Sequence, residues 1–369
     1  MLVFLSAELE QCIAQRNLSD NQIAGLEQIA RSARTGKHLI LGHMNVLESL
    51  GSFDRLGEIS RAYYKASANR SVQQFSVFDH AEIYVKVGIQ ENGITANLID
   101  GKTCIVIPLE QFNSHNFSNA TTLLLERESD HQFLKCVWDK YLLDNFLQNV
   151  NVVYEVDDGP GGNTVNKYSR LQEACDRLCL CILDSDRLYP GGPCSRTAQD
   201  VANSDRSDIH TIRYQILEVH EMENLIPMSV LHVVADAMGG SPHSFAHRLL
   251  RALGRLADNG KPEVYLHWDS KKGIICNGLS DEGSRAFWKG HYEEIKNIFP
   301  KQCNRIDCNS SSCERLLIPA WPFPAEALSA AKFHQNHFTL PRDELLSGIW
   351  IRLGRQLFSW GMADTPRIT

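Results

Sequence analysis

The chain has no run of about 18 consecutive apolar residues, the length a membrane-spanning helix needs, so no membrane span is expected. Basic charge is not in excess either. Lys and Arg number 37 against 44 Asp and Glu, a formal net charge of -7. Bulk charge therefore gives no sign of nucleic-acid binding, and any basic surface has to be local. No G-x-x-x-x-G-K-[ST] loop occurs, which excludes a built-in P-loop ATPase. There is no internal repeat and no low-complexity tract. The opening MLVFLSAELEQC lacks the basic stretch and long apolar core of a secretory signal, so a cytoplasmic protein is expected.

What is present is an ordinary globular composition. The 369 residues are 43% hydrophobic, enough for a real core and for two or three structural units. Eleven cysteines are many, but Cys179 and Cys181 sit inside the apolar run LCLCILD, where reduced, buried thiols are expected. Residues 1–75 read as helical. LSDNQIAGLEQIARSA offers Ser19 or Asp20 as an N-cap ahead of Ile23, Leu26 and Ile29, and GEISRAYYKAS is a second helical stretch. AEIYVKVG, ITANLI and TCIVIPL then read as short strands separated by turn signals. Together these predict an N-terminal α+β module over 1–118.

From residue 121 the pattern alternates. TTLLLE is an apolar strand, and the segment after it sets Phe133, Leu134, Val137, Trp138, Tyr141 and Leu142 on one helical face. NVNVVYEV, LCLCILD and the start of YQILEVHEMENLIP continue the strands, with the helix NKYSRLQEACDR between the second and third. Such alternation predicts an α/β unit over 119–285 with a parallel sheet covered on both faces. A C-terminal, α-rich segment occupies 286–369. Functional groups of such sheets gather at the carboxyl ends of the strands. Glu126 ends the first strand, and Asp130 follows one helical turn later. Asp184 ends the third strand with Asp186 just beyond, and Glu221 and Glu223 follow the fourth. Carboxylates converging at one edge repel each other unless cations neutralise them. Mg²⁺ or Mn²⁺ suits oxygen ligands, and a pair of such ions suits phosphodiester hydrolysis.

These residues carry a resemblance. LLLERESD resembles the opening of a TOPRIM domain, and ILDSDR resembles its Asp-x-Asp motif. VHEMENLIP is similar to the Glu-x-Glu-Asn stretch of overcoming-lysogenization-defect (OLD) nucleases and related defence-associated TOPRIM proteins. The likeness covers about 121–280. It implies a metal-dependent endonuclease on DNA or RNA, active in antiphage defence. Glu126 and Asp130 would bind one metal, Asp184 and Asp186 would help hold a second, and Glu221 or Glu223 would complete the shell. It also implies a lysine that stabilises the transition-state phosphate. YLHWDSKKGI offers Lys271 for that role, with Lys272 as the alternate. The family commonly has Gly after the first Glu; Arg127 stands there, able to narrow the approach or to contact phosphate. Because no P-loop is present, the ATPase of an OLD-type system would be a separate partner.

Blander readings stand beside these. Asp130 alone could cap the helix after it, Glu221 and Glu223 could be solvated, and Lys271 could be a surface residue. His243 and His247 have the spacing of a helical metal pair, but HSFAH lacks the Glu of H-E-x-x-H, so packing histidines are expected. Arg248, Arg251 and Arg255 form a stripe that is either a solvated face or a track for a phosphate backbone. Cys303, Cys308 and Cys313 fall at the edge of the spacing for structural zinc and need a fourth ligand, so zinc is the lesser reading. DDGPGGN could cradle phosphate but equally makes a sharp strand-to-helix turn. The same core also serves strand passage and primer synthesis, but no topoisomerase tyrosine module or primase zinc ribbon is apparent. Outside enzymology, the alternative is a regulatory or scaffold subunit with a degenerate TOPRIM site.

Overall fold

The computed structural model describes residues 1–89, 93–159, 163–238, 244–276, 279, 281–291, 316–323 and 344–366. Among them, strands β1 (Leu2–Leu5), β2 (Leu39–Gly42), β3 (Ile83–Gly88), β4 (Thr95–Ile99) and β5 (Lys102–Pro108) form one sheet in the order β2-β1-β3-β5-β4. Every pairing is parallel except that of β4 with β5. The sequence reading of 1–75 as helical is therefore corrected, and so is the α+β label: this module is a parallel-dominated α/β unit. The reason lies in LVFL and LILG. Parallel strands buried on both faces show no alternation, and runs of four apolar residues are too short to separate from helix by periodicity. The expected helices do form, over Asp20–Arg34 and Glu58–Gln74. Ser19, and not Asp20, is the N-cap of the first: its hydroxyl accepts from Gln22 N–H while the Gln22 side chain accepts from Ser19 N–H.

A second sheet is built from β6 (Thr121–Leu125), β8 (Tyr154–Asp158), β9 (Cys179–Leu183) and β10 (Ile212–Ile216), in the order β10-β9-β6-β8 and parallel throughout. The alternating strand–helix pattern from residue 121 predicts this. Leu123, Leu125, Leu180 and Ile182 join the main core with the helix Asp130–Asp144, whose apolar face holds Phe133, Leu134, Val137 and Trp138. Leu124, Cys179, Cys181 and Leu183 point to the opposite face, where Tyr168, Ala198 and Val201 cover them. Cys179 and Cys181 are buried free thiols, as their apolar context requires.

The chain passes from β6 to β8 on one side and then returns to β9 on the other. Adjacent crossovers thus diverge between β6 and β9, which makes a crevice at the carboxyl ends of those strands.

The end of the chain returns between the two sheets. The helix Glu344–Gly361 packs Phe358 against Tyr141 at 5.6 Å and sets Trp350 edge-on to Phe133 at 5.7 Å. Its Ser359 hydroxyl accepts from Glu82 N–H at 2.9 Å, beside the first sheet. β13 (Met362–Ala363) then pairs with β7 (Asn151–Val152), and the buried Met1 amine donates to Met362 O at 2.5 Å. Among the described residues no helix is long and apolar enough to cross a membrane.

Candidate metal centre

The crevice between β6 and β9 is lined by acids. Glu126 leaves the end of β6, and its Oε1 accepts the Asp184 N–H from the end of β9 at 3.2 Å. Asp184 Oδ1 in turn accepts the Met222 N–H at 3.0 Å, drawing in the 3₁₀ turn Met222–Leu225 beyond β10. Asp130 is the first residue of its helix and only 7% exposed. It is not the N-cap: Ser129 holds that position, and its hydroxyl donates to Asp130 Oδ1 at 3.2 Å.

Electrostatics shows that these groups form one cluster. The Asp184 carboxyl is pushed well above its ordinary range, first by burial and then by Glu126, Asp130, Glu223 and Glu221. Burial, with Glu223 next, raises Asp130 to about 6. Glu126 is raised by burial and then by Asp186. Arg127 is exposed and pulls the other way on both Glu126 and Asp130.

One ammonium lies inside the cluster. Lys271 Nζ stands 2.8 Å from Glu223 Oε1 and 2.9 Å from Glu221 Oε2. Burial alone would lower its pKa, but Glu223 and then Glu221 outweigh it and push it up to about 12. Lys271 is therefore not a plain surface residue, whereas the Lys272 side chain is 78% exposed and reaches only the edge of Asp269 at 3.9 Å. Glu223 is 7% exposed, and the Glu221 side chain 12%. The solvated reading of these two acids is thereby excluded.

Asn224 explains why the Glu221–Glu223 segment takes this path. It is 1% exposed, and its Oδ1 accepts from Glu221 N–H at 3.0 Å. Its Nδ2 donates to Tyr265 O at 2.6 Å and to Trp268 O at 2.8 Å. A buried amide so fully engaged fixes the two acids against the segment that carries Lys271.

Asp186 has a left-handed backbone, φ +51°, a conformation that Asp tolerates better than most residues. Its N–H is held by His220 O at 2.8 Å, and its side chain is exposed at the rim. Ligand atoms of Asp186, His220 and Glu221 lie within 4.8 Å of one another.

His220 and Asp269 are the residues that sequence reasoning missed. His220 Nδ1 faces Arg187 O at 3.1 Å, and its Nε2 lies 3.8 Å from Asp269 Oδ2. Burial lowers its pKa, but Asp269 and Glu221 raise it by more. Asp269 Oδ1 accepts the N–H groups of Lys271 at 2.9 Å and Lys272 at 2.7 Å, so it shapes the loop beneath the lysine. Nδ1 is engaged by Arg187 O, but Nε2 stands beyond normal hydrogen-bond distance of Asp269, so His220 stays a candidate ligand beside Asp186 and Glu221. A histidine adjoining the Glu-x-Glu pair was the one signal in the sequence.

The remaining candidates lie elsewhere. Arg248, Arg251 and Arg255 are exposed on the helix Phe245–Asp258. His247 is 6% exposed, with Nε2 at 2.9 Å from Asp236 Oδ1 and Nδ1 at 3.0 Å from the Ser244 hydroxyl, a packing histidine as expected. His243, Cys303, Cys308 and Cys313 lie outside the described residues, as does the middle of DDGPGGN. Gly159 of that segment donates to Leu125 O at 3.0 Å and extends the β8–β6 pairing beside Glu126.

The donor set tests which ion fits. Glu126, Asp130, Asp184, Asp186, Glu221 and Glu223 offer hard oxygens, with no thiol among them, against one internal ammonium among the described residues. Hard, hydrated divalent cations suit such ligands. Glu221 Oε2 is buried and makes its ion pair with Lys271 without an aligned hydrogen bond, leaving coordinating capacity in place. No family model, curated protein or solved structure matches the chain.

Proposed function

We propose that this chain is a metal-dependent nuclease of the TOPRIM type, hydrolysing phosphodiester bonds with Mg²⁺ or Mn²⁺, two ions being the natural complement. The observation that carries the reading is the acid cluster at the β6–β9 crevice, whose crowding Lys271 alone among the described residues relieves from within. Crowded carboxylates keep their protons unless a cation replaces them, so the raised acids at Asp184, Asp130 and Glu126 favour cation uptake. When bound, a pair of divalent ions supplies an activated water and charge for the leaving oxygen. The chain's own residues do the rest. Glu126, Asp130 and Asp184 present oxygens from rigid strand ends and a helix start. Glu221 and Glu223, pinned by Asn224, close the far side. Lys271 is a point charge that can turn from these acids to the developing charge on phosphate. Arg127, exposed beside Glu126, can contact the phosphate backbone.

The resemblance to OLD-type proteins extends the reading to antiphage defence, with DNA or RNA as substrate and a separate ATPase as partner. The test is cleavage of a panel of DNA, tRNA and ribosomal RNA with Mn²⁺ and with excess chelator. Activity that survives the chelator sinks the mechanism.

One observation favours a second reading. Lys271 already pairs with both Glu221 and Glu223, as an internal counterion would in a degenerate site of a regulatory or scaffold subunit. Calorimetric titration with Mn²⁺ separates the two: a site that takes up no ion supports the scaffold.

A further inference from the structure

Glu223 lines one wall of a small, partly enclosed space. It is lined by Glu223, Leu231, Tyr265, Trp268, Ser270 and Trp321, and about 10 Å³ of it is open to the centre of a water molecule. That is the room one water takes. Two of the side chains that line it carry polar atoms, Ser270 Oγ and Trp321 Nε1, that are buried without a hydrogen-bond partner. Ser270 is 6% exposed and Trp321 3%. The backbone brings them together, because Trp321 N–H donates to Ser270 O at 2.7 Å.

We infer that a single internal water bridges Ser270 Oγ and Trp321 Nε1, and that this bridge makes both residues positioning residues for Lys271 and Glu223. Buried donors and acceptors are almost always paired, and an indole N–H can only donate. A water accepts from Trp321, donates to Ser270 Oγ, and has one remaining proton to direct toward Glu223 on the same wall. An internal water typically makes about three such bonds.

The bridge has structural neighbours. Trp268 Nε1 donates to Pro319 O at 3.1 Å, and Gly273, φ +76°, leaves room for Ile318 O, which a Cβ would approach to 2.4 Å. β11 (Ile274–Ile275) pairs with β12 (Leu316–Ile318) just beyond. The stretch 316–321 is thus clamped onto the loop that carries Lys271, and the water completes the clamp on the side of the acids.

The first half of this inference is independent of the nuclease reading; the positioning half rests on it. The test uses the full chain with ¹⁵N-labelled indoles. In the parent, the Trp321 indole proton, assigned by its loss in Trp321→Phe, should show a water cross-peak with the sign of a long-lived bound water. Ser270→Ala should keep the indole signal and weaken or abolish that cross-peak. A Trp321 indole with no bound-water signal in the parent overturns the bridge. Calorimetry with Mn²⁺ reads the second half: both variants should bind about three- to tenfold more weakly while melting within a few degrees of the parent. Unchanged Mn²⁺ affinity in Ser270→Ala overturns the positioning role even if Trp321→Phe fails to fold. A parent that takes up no Mn²⁺ sinks the nuclease reading and the positioning role together, and leaves the bridge to be decided by the cross-peak alone.

Discussion

The molecule contains two parallel-dominated sheets, each with a point where adjacent crossovers diverge. In the first sheet that point lies between β1 and β3, and in the second between β6 and β9. Both sheets therefore offer a crevice at their strand ends. The residues just past the strands differ. Ser6 comes after β1, His43 after β2 and Ile89 after β3, whereas Glu126 comes after β6 and Asp184 after β9. Even the edge strand β8 ends in Asp157 and Asp158, the former ion-paired with Lys167 at 2.5 Å. The first crevice has Leu5 and Val87 buried beneath it, and the Glu8 and Lys86 charges near it are ion-paired at 3.3 Å; the second concentrates negative charge that the fold alone does not neutralise. Architecture supplies a place, and the residue beyond each strand decides whether chemistry can happen there.

The largest effect that would sharpen this comparison is on Asp184. Asp184→Asn keeps the shape of the acid's protonated form and removes a ligand charge. Cleavage should fall at least about 10³-fold and the Mn²⁺ heat should vanish together, on the scale of losing an essential charged group at a metal site. Because it also relieves crowding, the metal-free variant should melt no lower than the parent. Retained cleavage would place the chemistry outside this crevice.

Lys271→Ala comes next. Cleavage should drop by about 10²–10³, the cost of losing one transition-state stabiliser, while Mn²⁺ still binds. The metal-free protein should lose about 3 kcal/mol in denaturant unfolding, since Glu221 and Glu223 are left buried without a counterion. Divalent cation should restore much of that loss. If Lys272→Ala slows cleavage instead, the exposed lysine is the working one. If Lys271→Ala is as stable as the parent without metal, the acids carry less charge than their crowding implies.

The acids of the second crevice were legible in the sequence because parallel strands buried on both faces announce themselves by continuous apolar runs, and the polar residue ending each run stands out. TTLLLE opens a regular alternation with helical segments that marks it as a strand, whereas LVFL and LILG sit among helical signals, so two of the five strands of the first sheet stayed hidden. The link between His220 and Asp269 spans residues far apart in sequence, and the clamp of Trp321 on Ser270 spans more. Neither has a local pattern, because each depends on how separate segments dock. The same holds for the helix Glu344–Gly361, whose amphipathic face gives no hint that it lies between two sheets.

The smallest effect, and the one that contrasts the two regions most directly, is on pH. His38, in β2's approach, is fully buried with Nε2 at 2.8 Å from Phe117 O. Burial, with the nearby N-terminal charge, lowers its pKa from 6.5 to about 3. It stays neutral in the folded chain while the unfolded chain gains a proton, so its contribution is whole above 6.5 and is lost as pH falls toward about 3. Asp130 runs the other way. Its pKa is raised from 3.8 to about 6, so the folded chain holds a proton that the unfolded chain has released. That contribution is whole below 3.8 and is lost as pH rises through about 6. The two windows overlap between 3.8 and about 6, and there the trends oppose each other, so metal-free protein should show a shallow profile whose clear loss of stability lies at the acid end, where His38 acts alone. Denaturant unfolding across this range, in chelator and in Mn²⁺, reads the balance. Asp130→Asn, which mimics the protonated acid, should remove the opposing trend, so that stability rises more steeply with pH through the overlap. Mn²⁺ should steepen the rise in the parent in the same direction, because ionised acids bind the cation better. A profile unchanged by Asp130→Asn would mean that the second crevice is no more crowded than the first.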